Sequence, residues 1–214
     1  MLELAVKTLA AYLMGTLLGS LVLGSVRGGD IRSHGSGNAG ATNALRTQGT
    51  WFGLAVFGVD VGKGLLAVLW LPAAAWPYVA ADPQLSRAWL AVACGFAVIV
   101  GHVYPVWFGF RGGKGVATLV GVVGALQPAL LIPLLVSWIL VVMVTGYVGL
   151  ASMLGLAAVA AFVWLREPGN QPLLAFCVLT LMLVLYTHRG NIARMRAGEE
   201  HRARRLWLFR SRAA

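Results

Sequence analysis

Charge is scarce in this chain, and negative charge is scarcer. Asp and Glu total 7 against 17 Lys and Arg, and charged residues make up 11% of the sequence, far below the roughly 25% of ordinary soluble domains. Hydrophobic residues reach 59% and the mean hydropathy is +0.79. That balance excludes a soluble globular domain and indicates a membrane protein. Only two cysteines are present, Cys94 and Cys177, far apart in apolar runs, so neither a disulfide framework nor a metal knuckle is indicated. The four histidines are too scattered for a metal site, and no cofactor is expected. Ser-His-Asp hydrolysis lacks both a G-x-S-x-G elbow and well-placed acids.

What is abundant is apolar length and positive charge. A net charge of +10 would ordinarily suggest nucleic acid as a partner. Here the arginines crowd the tail at 189, 194, 196, 202, 204, 205, 210 and 212, and most other cations sit in short loops between apolar runs. That is the pattern of membrane topology, with no nucleic acid and with anionic lipid or anionic substrate as partners. Runs at 2–26, 51–76, 87–108, 116–127, 130–145, 149–165 and 173–187 approach the roughly 20 residues that a bilayer-crossing helix needs. The fourth is short, and Pro128 and Pro133 mark either a tight outer turn or a kink in one helix over 116–145. Seven spans with an external N-terminus put 27–50, 109–115, 146–148 and 188–214 on the cytoplasmic side, leaving outside little beyond Asp82, Arg87, Arg166 and Glu167. The expected fold is therefore an all-α integral membrane protein, a single polytopic domain over 1–214 with about seven transmembrane helices and glycine-rich cytoplasmic loops. The first run exceeds a signal h-region and lacks a cleavage site, so it reads as a retained span.

The stretch HGSGNAGATN, 34–43, carries Gly35, Gly37 and Gly40 in the G-x-G-x-x-G spacing, with Asp60 twenty residues on. The dinucleotide reading needs a strand before the loop, and an apolar membrane segment stands there instead. What remains is either a flexible interhelical loop or a concavity of backbone N–H groups suited to an oxyanion, with Ser36, Asn38, Thr42, Asn43 and Arg46 beside it. A second turn, GHVYPVWFGFRGGKGVAT over 101–118, surrounds Lys114 with Gly112, Gly113 and Gly115. It lacks the Walker spacing, and a glycine follows the lysine where Ser or Thr should bind Mg²⁺. It reads as a second anion cradle at a helix N-terminus or as ordinary positive-inside charge. Asp60 and Lys63 share a helix face inside an apolar run, most simply as a structural ion pair. Gly15 and Gly19 form a small-x-x-x-small pair for close packing. His188 and Asn191 begin the tail three residues apart, a base and an amide suited to orienting a hydroxyl or an oxyanion, or else a polar helix end.

Acyl-CoA-dependent glycerolipid acyltransferases carry aspartate five positions after histidine. Here Ala39, Trp107, Ala193 and Leu206 hold those positions. SGNAGATNALR (36–46), DVGKG (60–64), GHVYPVWFGFRGGKGVAT (101–118) and HRGNIARMRAGEE (188–200), in that order, resemble the bacterial acyl-phosphate:glycerol-3-phosphate acyltransferase family of the PlsY type over nearly the whole chain. The resemblance implies an inner-membrane enzyme with cytoplasmic active-site loops, whose partners are acyl phosphate, glycerol 3-phosphate and the bilayer. It would transfer the acyl group to the 1-hydroxyl and release lysophosphatidate and inorganic phosphate without acyl-CoA. It assigns His188 and Asn191 to catalysis, and Ser36, Gly37, Asn38, Gly40, Thr42, Asn43, Arg46, Gly112, Gly113, Lys114, Gly115 and Ser152 to substrate and phosphate binding. Asp60, Lys63 and Glu199 are left as support, and no metal is implied. Ala39 stands where the family usually has Pro, and Gly149 where Ser is common. A membrane transporter or binder of organic phosphates is the alternative, although its site would lie near the bilayer midplane.

Overall fold

The computed structural model describes residues 1–27, 29–204 and 206–209, with the backbone alone at Val26 and Arg27. Gly28, Arg205 and residues 210–214 lie outside the described residues, and with them Arg210 and Arg212 of the basic tail. Among the described residues the fold is all-helical, and its one strand-like feature is an isolated bridge between Trp76 and Val79. The chain divides into two compact units, Met1–Gln127 and Pro128–Ala214.

The first unit holds α1 (Leu2–Gly15), α2 (Gly19–Arg27), α3 (Ala41–Gln48), α4 (Thr50–Leu69), α5 (Arg87–Val103) and α6 (Val116–Leu126). Small residues let its helices meet backbone to backbone. A Cβ on Gly15 would meet the Val98 carbonyl of α5, and one on Gly101 the Tyr12 carbonyl of α1. Gly64 of α4 and Gly121 of α6 stand in the same relation across the α4–α6 contact. Gly19 packs on α4 instead, within 3.0 Å of the Val56 carbonyl for an added Cβ. The small-residue pair of the first run thus serves two different neighbours, because the helix bends between its members.

That bend departs from the single span expected at 2–26. α1 ends at Gly15 and α2 starts at Gly19, the two inclined by 52°. α4 ends at Leu69, short of the expected 76, where Pro72 and Pro77 remove the N–H groups that a continuing helix needs. The loop that follows is tied down by Glu3, whose carboxylate accepts from both Arg87 terminal nitrogens at 2.7 Å, from Lys7 at 3.0 Å and from the Asp82 N–H at 2.8 Å. Glu3 is 2% exposed, so all four bonds offset its removal from water.

In the second unit, α7 (Leu131–Thr145), α8 (Val148–Arg166) and α9 (Gln171–Thr187) are followed by α10 (Arg189–Arg196). Gly146, with φ +76°, closes α7 in the left-handed region that favours glycine. Asn170 caps α9 by accepting from the Leu173 N–H at 3.3 Å, with Pro172 in the first turn where its missing donor costs nothing. α9 and α10 are inclined by 49° at His188.

All seven apolar segments of the sequence correspond to helices among the described residues. Thr50–Leu69, Arg87–Phe108, Pro128–Thr145 and Val148–Arg166 are each long and apolar enough to cross a membrane. The two bent pairs qualify only when each pair is taken as one span, and Val116–Leu126 is apolar but short. Helical hydrogen bonding stops at Gln127, whose backbone is extended (φ −160°, ψ 99°), so 116–145 is not one continuous kinked helix.

Candidate active site

Two loops of the first unit carry the groups singled out in the sequence. The loop before α3 is built around Asn43. Its Oδ1 accepts from the Ser36 N–H at 2.9 Å, while Nδ2 donates to the carbonyls of Ile31 (3.1 Å) and His34 (3.0 Å). With its side chain buried and its amide fully engaged, Asn43 is a scaffold for the loop. The Gly37 N–H donates to His34 O and the Gly40 N–H to Asn38 Oδ1. Three backbone donors of the expected oxyanion concavity are therefore spent inside the loop, because a short excursion must satisfy its own backbone. The Ser36, Thr42 and Arg46 side chains are exposed, and Asn38 is half-buried.

The second loop folds against the end of α5. The Gly112 N–H donates to Val103 O and the Gly113 N–H to His102 O, each at 3.1 Å, which satisfies carbonyls that the helix end leaves open. Gly113 lies flat on the His102 ring, so that an added Cβ would meet Nε2, Cδ2 and Cε1. Gly115 takes φ +84° and delivers the half-buried Lys114 to the start of α6, where the first turn's N–H groups favour negative charge.

Arg32, unremarked in the sequence, joins the two loops. Its guanidinium makes a paired contact with Asp30 (2.6–3.0 Å) and donates to Phe108 O at 3.2 Å and Arg111 O at 2.8 Å. The same guanidinium holds the Asp30 carboxyl below its ordinary range. Beside this clasp opens a cleft of about 610 Å³, walled by Ser33 and Gly37 from one loop and Phe108, Arg111 and Gly112 from the other.

Beneath the loops sits a buried polar cluster. Asp60 is 0% and Lys63 6% exposed, and they pair at 2.9 Å. Lys63 also donates to Gly15 O (2.9 Å) and Leu17 O (3.1 Å), and Asp60 accepts from the Gly19 N–H at 3.2 Å. The ion pair thus satisfies the two broken helix ends at the α1–α2 bend. His102 Nδ1 stands 2.9 Å from Lys63 Nζ. The same nitrogen lies 3.4 Å from Asp60 Oδ1, so the ring stands against both members of the ion pair. Ser20, one residue past the bend, donates to Ala39 O of the first loop at 2.5 Å. One hub therefore supports both loops. The sequence signalled Asp60 and Lys63 by their cost in an apolar run, but nothing in the spacing linked them to His102, 39 residues away.

In the second unit His188 is the joint between α9 and α10, and it is buried. Its Nδ1 lies 2.8 Å from Val184 O. A carbonyl only accepts, so Nδ1 carries the proton at this contact. Asn191, in the first turn of α10, donates from Nδ2 to Glu200 Oε1 at 2.6 Å, and Glu200 Oε2 accepts from Arg194 Nε at 2.7 Å. The supporting acid expected at Glu199 is exposed, and the carboxylate that meets Asn191 is its neighbour Glu200. An added Cβ at Gly149 would come within 2.8 Å of Asn191 Nδ2, so the space a serine would fill is taken by the amide. Ser152 is buried and donates to Val148 O at 3.0 Å. Among the described residues no cluster of His, Cys, Asp or Glu is arranged to hold a metal ion.

Comparison with known proteins supplies the frame for these groups. A family model described as glycerol-3-phosphate acyltransferase matches residues 5–198. The glycerol-3-phosphate acyltransferase of Aquifex aeolicus is 37% identical over 90% of this chain and 95% of its own. That of Geobacter sulfurreducens is 40% identical over 94% and 98% respectively. The fold matches a crystal structure of PlsY (YgiH), an integral membrane glycerol 3-phosphate acyltransferase, in its glycerol 3-phosphate form, with a TM-score of 0.79, 34% identity and coverage of 93% of this chain and 94% of that one. The lysophosphatidic acid form of PlsY (YgiH) matches with a TM-score of 0.78 at 32% identity, over 97% and 99% of the two chains. An all-helical, multi-pass membrane architecture, the matched family model and this degree of identity over nearly the full length agree: the chain belongs to the glycerol-3-phosphate acyltransferase family.

Proposed function

We propose that this protein transfers a fatty acyl group from acyl phosphate to the 1-hydroxyl of glycerol 3-phosphate, giving lysophosphatidate and inorganic phosphate without acyl-CoA. We place it in the bacterial inner membrane, with an external N-terminus and its motif loops in the cytoplasm. The observation that supports this reading is the presence of exposed Ser36 in the first loop, exposed Thr42 and Arg46 on the short α3 that follows it, and half-buried Lys114 at the start of the apolar α6. Both proposed substrates are anions, and one of them has a lipid tail. That tail belongs beside apolar helices and its head at a basic water boundary.

In the reaction, the glycerol hydroxyl oxygen forms a bond to the acyl carbonyl carbon. The bond from that carbon to the phosphate oxygen breaks, and phosphate leaves with the electron pair. The hydroxyl proton passes either to the His188 imidazole or to an oxygen of the departing phosphate. Because the anhydride is already activated, positioning and charge stabilisation supply much of the acceleration. Arg46 and Lys114 serve as anion clamps, Asn191 orients the glycerol or the carbonyl, and no covalent enzyme intermediate is required. These roles treat 1–214 as one catalytic domain.

Purified protein supplied with glycerol 3-phosphate and either acyl phosphate or acyl-CoA tests the reading. Lysophosphatidate from acyl phosphate alone is the expected result, and product from acyl-CoA alone overturns the donor. Within that assay, Lys114→Ala raises the KM for a phosphate-bearing substrate; unchanged kinetics for both substrates would remove Lys114 from the clamp.

A further inference from the structure

The family match ends at residue 198, and the described chain beyond it folds back on the C-terminal end of α7. The Ala203 N–H donates to Gly146 O at 2.8 Å, the Leu208 N–H to Met143 O at 2.9 Å and the Trp207 indole to Val144 O at 3.0 Å. These three bonds satisfy carbonyls that the end of α7 leaves open. The Arg202 guanidinium is stacked between the Tyr147 ring (4.8 Å) and the Trp207 ring (4.2 Å), and it donates to the Tyr147 hydroxyl at 3.0 Å. The tail is thus fixed as a strap across the α7–α8 turn.

Its place in the membrane follows from what it binds. Pro128–Thr145 is long and apolar enough to be a span, and the strap's backbone partners are that segment's last residues. The strap therefore lies at the level where hydrocarbon gives way to headgroups. With Arg202 and Trp207 turned inward, it exposes Leu206 (51%), Leu208 (64%) and Phe209 (69%). Residues 201–214 contain five arginines and no acid. Exposed apolar and aromatic side chains beside the exposed Arg204 at that depth are the chemistry of an interfacial segment, and the one-signed charge of the sequence there selects an anionic surface.

We propose that the described tail residues, 201–204 and 206–209, form an interfacial strap that binds the surface of an anionic phospholipid bilayer, with Leu206, Leu208 and Phe209 entering the headgroup boundary. Through the Gly146 and Tyr147 contacts the strap ties that surface to the turn from which α8 begins, four residues before Ser152. The charge complementarity is with lipid phosphate, and the strap's hydrogen bonds hold it in place before any lipid arrives.

The test uses the full chain in nanodiscs, with a nitroxide on Leu208→Cys. The two native cysteines are buried and take up little label. In discs containing phosphatidylglycerol, collisions with oxygen should exceed those with a water-soluble nickel complex. The ratio should be lower in discs of phosphatidylcholine alone or at high salt, where the attraction of arginine for lipid phosphate is missing or screened, and an equal ratio in the two lipids overturns the anionic selection. Water-like accessibility in both lipids overturns the proposal. Dipolar broadening between labels also overturns it, because it would put a second copy of the chain on the strap. Phe209→Cys, whose side chain is likewise exposed, provides the same readout if Leu208→Cys does not fold.

Discussion

Replacing Gly113 by alanine tests the hub beneath the loops most directly. The new Cβ would press on the His102 ring, including Cδ2 at 3.0 Å and Cε1 at 3.1 Å. The ring is buried and held by Lys63 at 2.9 Å. Either the ring swings away and forfeits a charged hydrogen bond, about 1.5–3 kcal/mol, or the turn shifts and takes Lys114 with it. Overpacking alone costs about 1–3 kcal/mol, so a total near 2–4 kcal/mol is expected. Two neighbours calibrate the value. Gly112→Ala would strike the backbone carbonyls of His102 and Val103 and the Pro105 ring, none of which can turn aside, and should prevent folding. Gly109→Ala meets nothing within 4 Å and bears only its φ of +65°, about 1–2 kcal/mol. The assays are the detergent unfolding midpoint and the KM for glycerol 3-phosphate, with the expected order Gly109, Gly113, Gly112 in rising severity. His102→Ala in the Gly113→Ala background should recover about 1–3 kcal/mol of the sum of the single effects. Equal effects at the three glycines, or strict additivity with His102→Ala, would refute the account.

Other perturbations separate the remaining contacts. Asp60→Asn or Lys63→Met alone leaves a buried charge unpaired and should lower stability by about 3–5 kcal/mol, with the double variant costing less than the two singles added; additive unfolding midpoints would contradict the pairing. Glu200→Gln removes the charged partner of Asn191 and Arg194 and should cost about 1.5–3 kcal/mol and reduce kcat, whereas Glu199→Gln should stay within about 0.5 kcal/mol. Equal behaviour of the two variants would deny Glu200 its role. Asp30 titrates below its ordinary value in the folded protein, so its contribution is present above the unfolded carboxyl pKa and is lost as pH falls through the folded one. Asp30→Asn should therefore weaken the Arg32 clasp at neutral pH, with the difference from wild type closing under acid conditions; a gap that persists at low pH would mean that the carboxylate charge is not what holds Arg32.

Hydropathy and charge placement alone determined the class of this protein, because bilayer thickness sets a minimum apolar length and leaves few places for cations. The motif loops were legible for a similar reason: glycine, serine and lysine together between apolar runs have few uses. Periodicity did not reveal the bend at residues 16–18, since every residue there is compatible with a helix and the break depends on Lys63 satisfying Gly15 and Leu17 from another element. Nor did spacing reveal that Asn43 is scaffold, that Arg32 clasps the two loops, or that Glu200 and not Glu199 meets Asn191. Composition acts through transfer between water and lipid, which each residue contributes on its own. Hydrogen bonds need a partner at about 3 Å, and only the tertiary structure decides which distant residue arrives there.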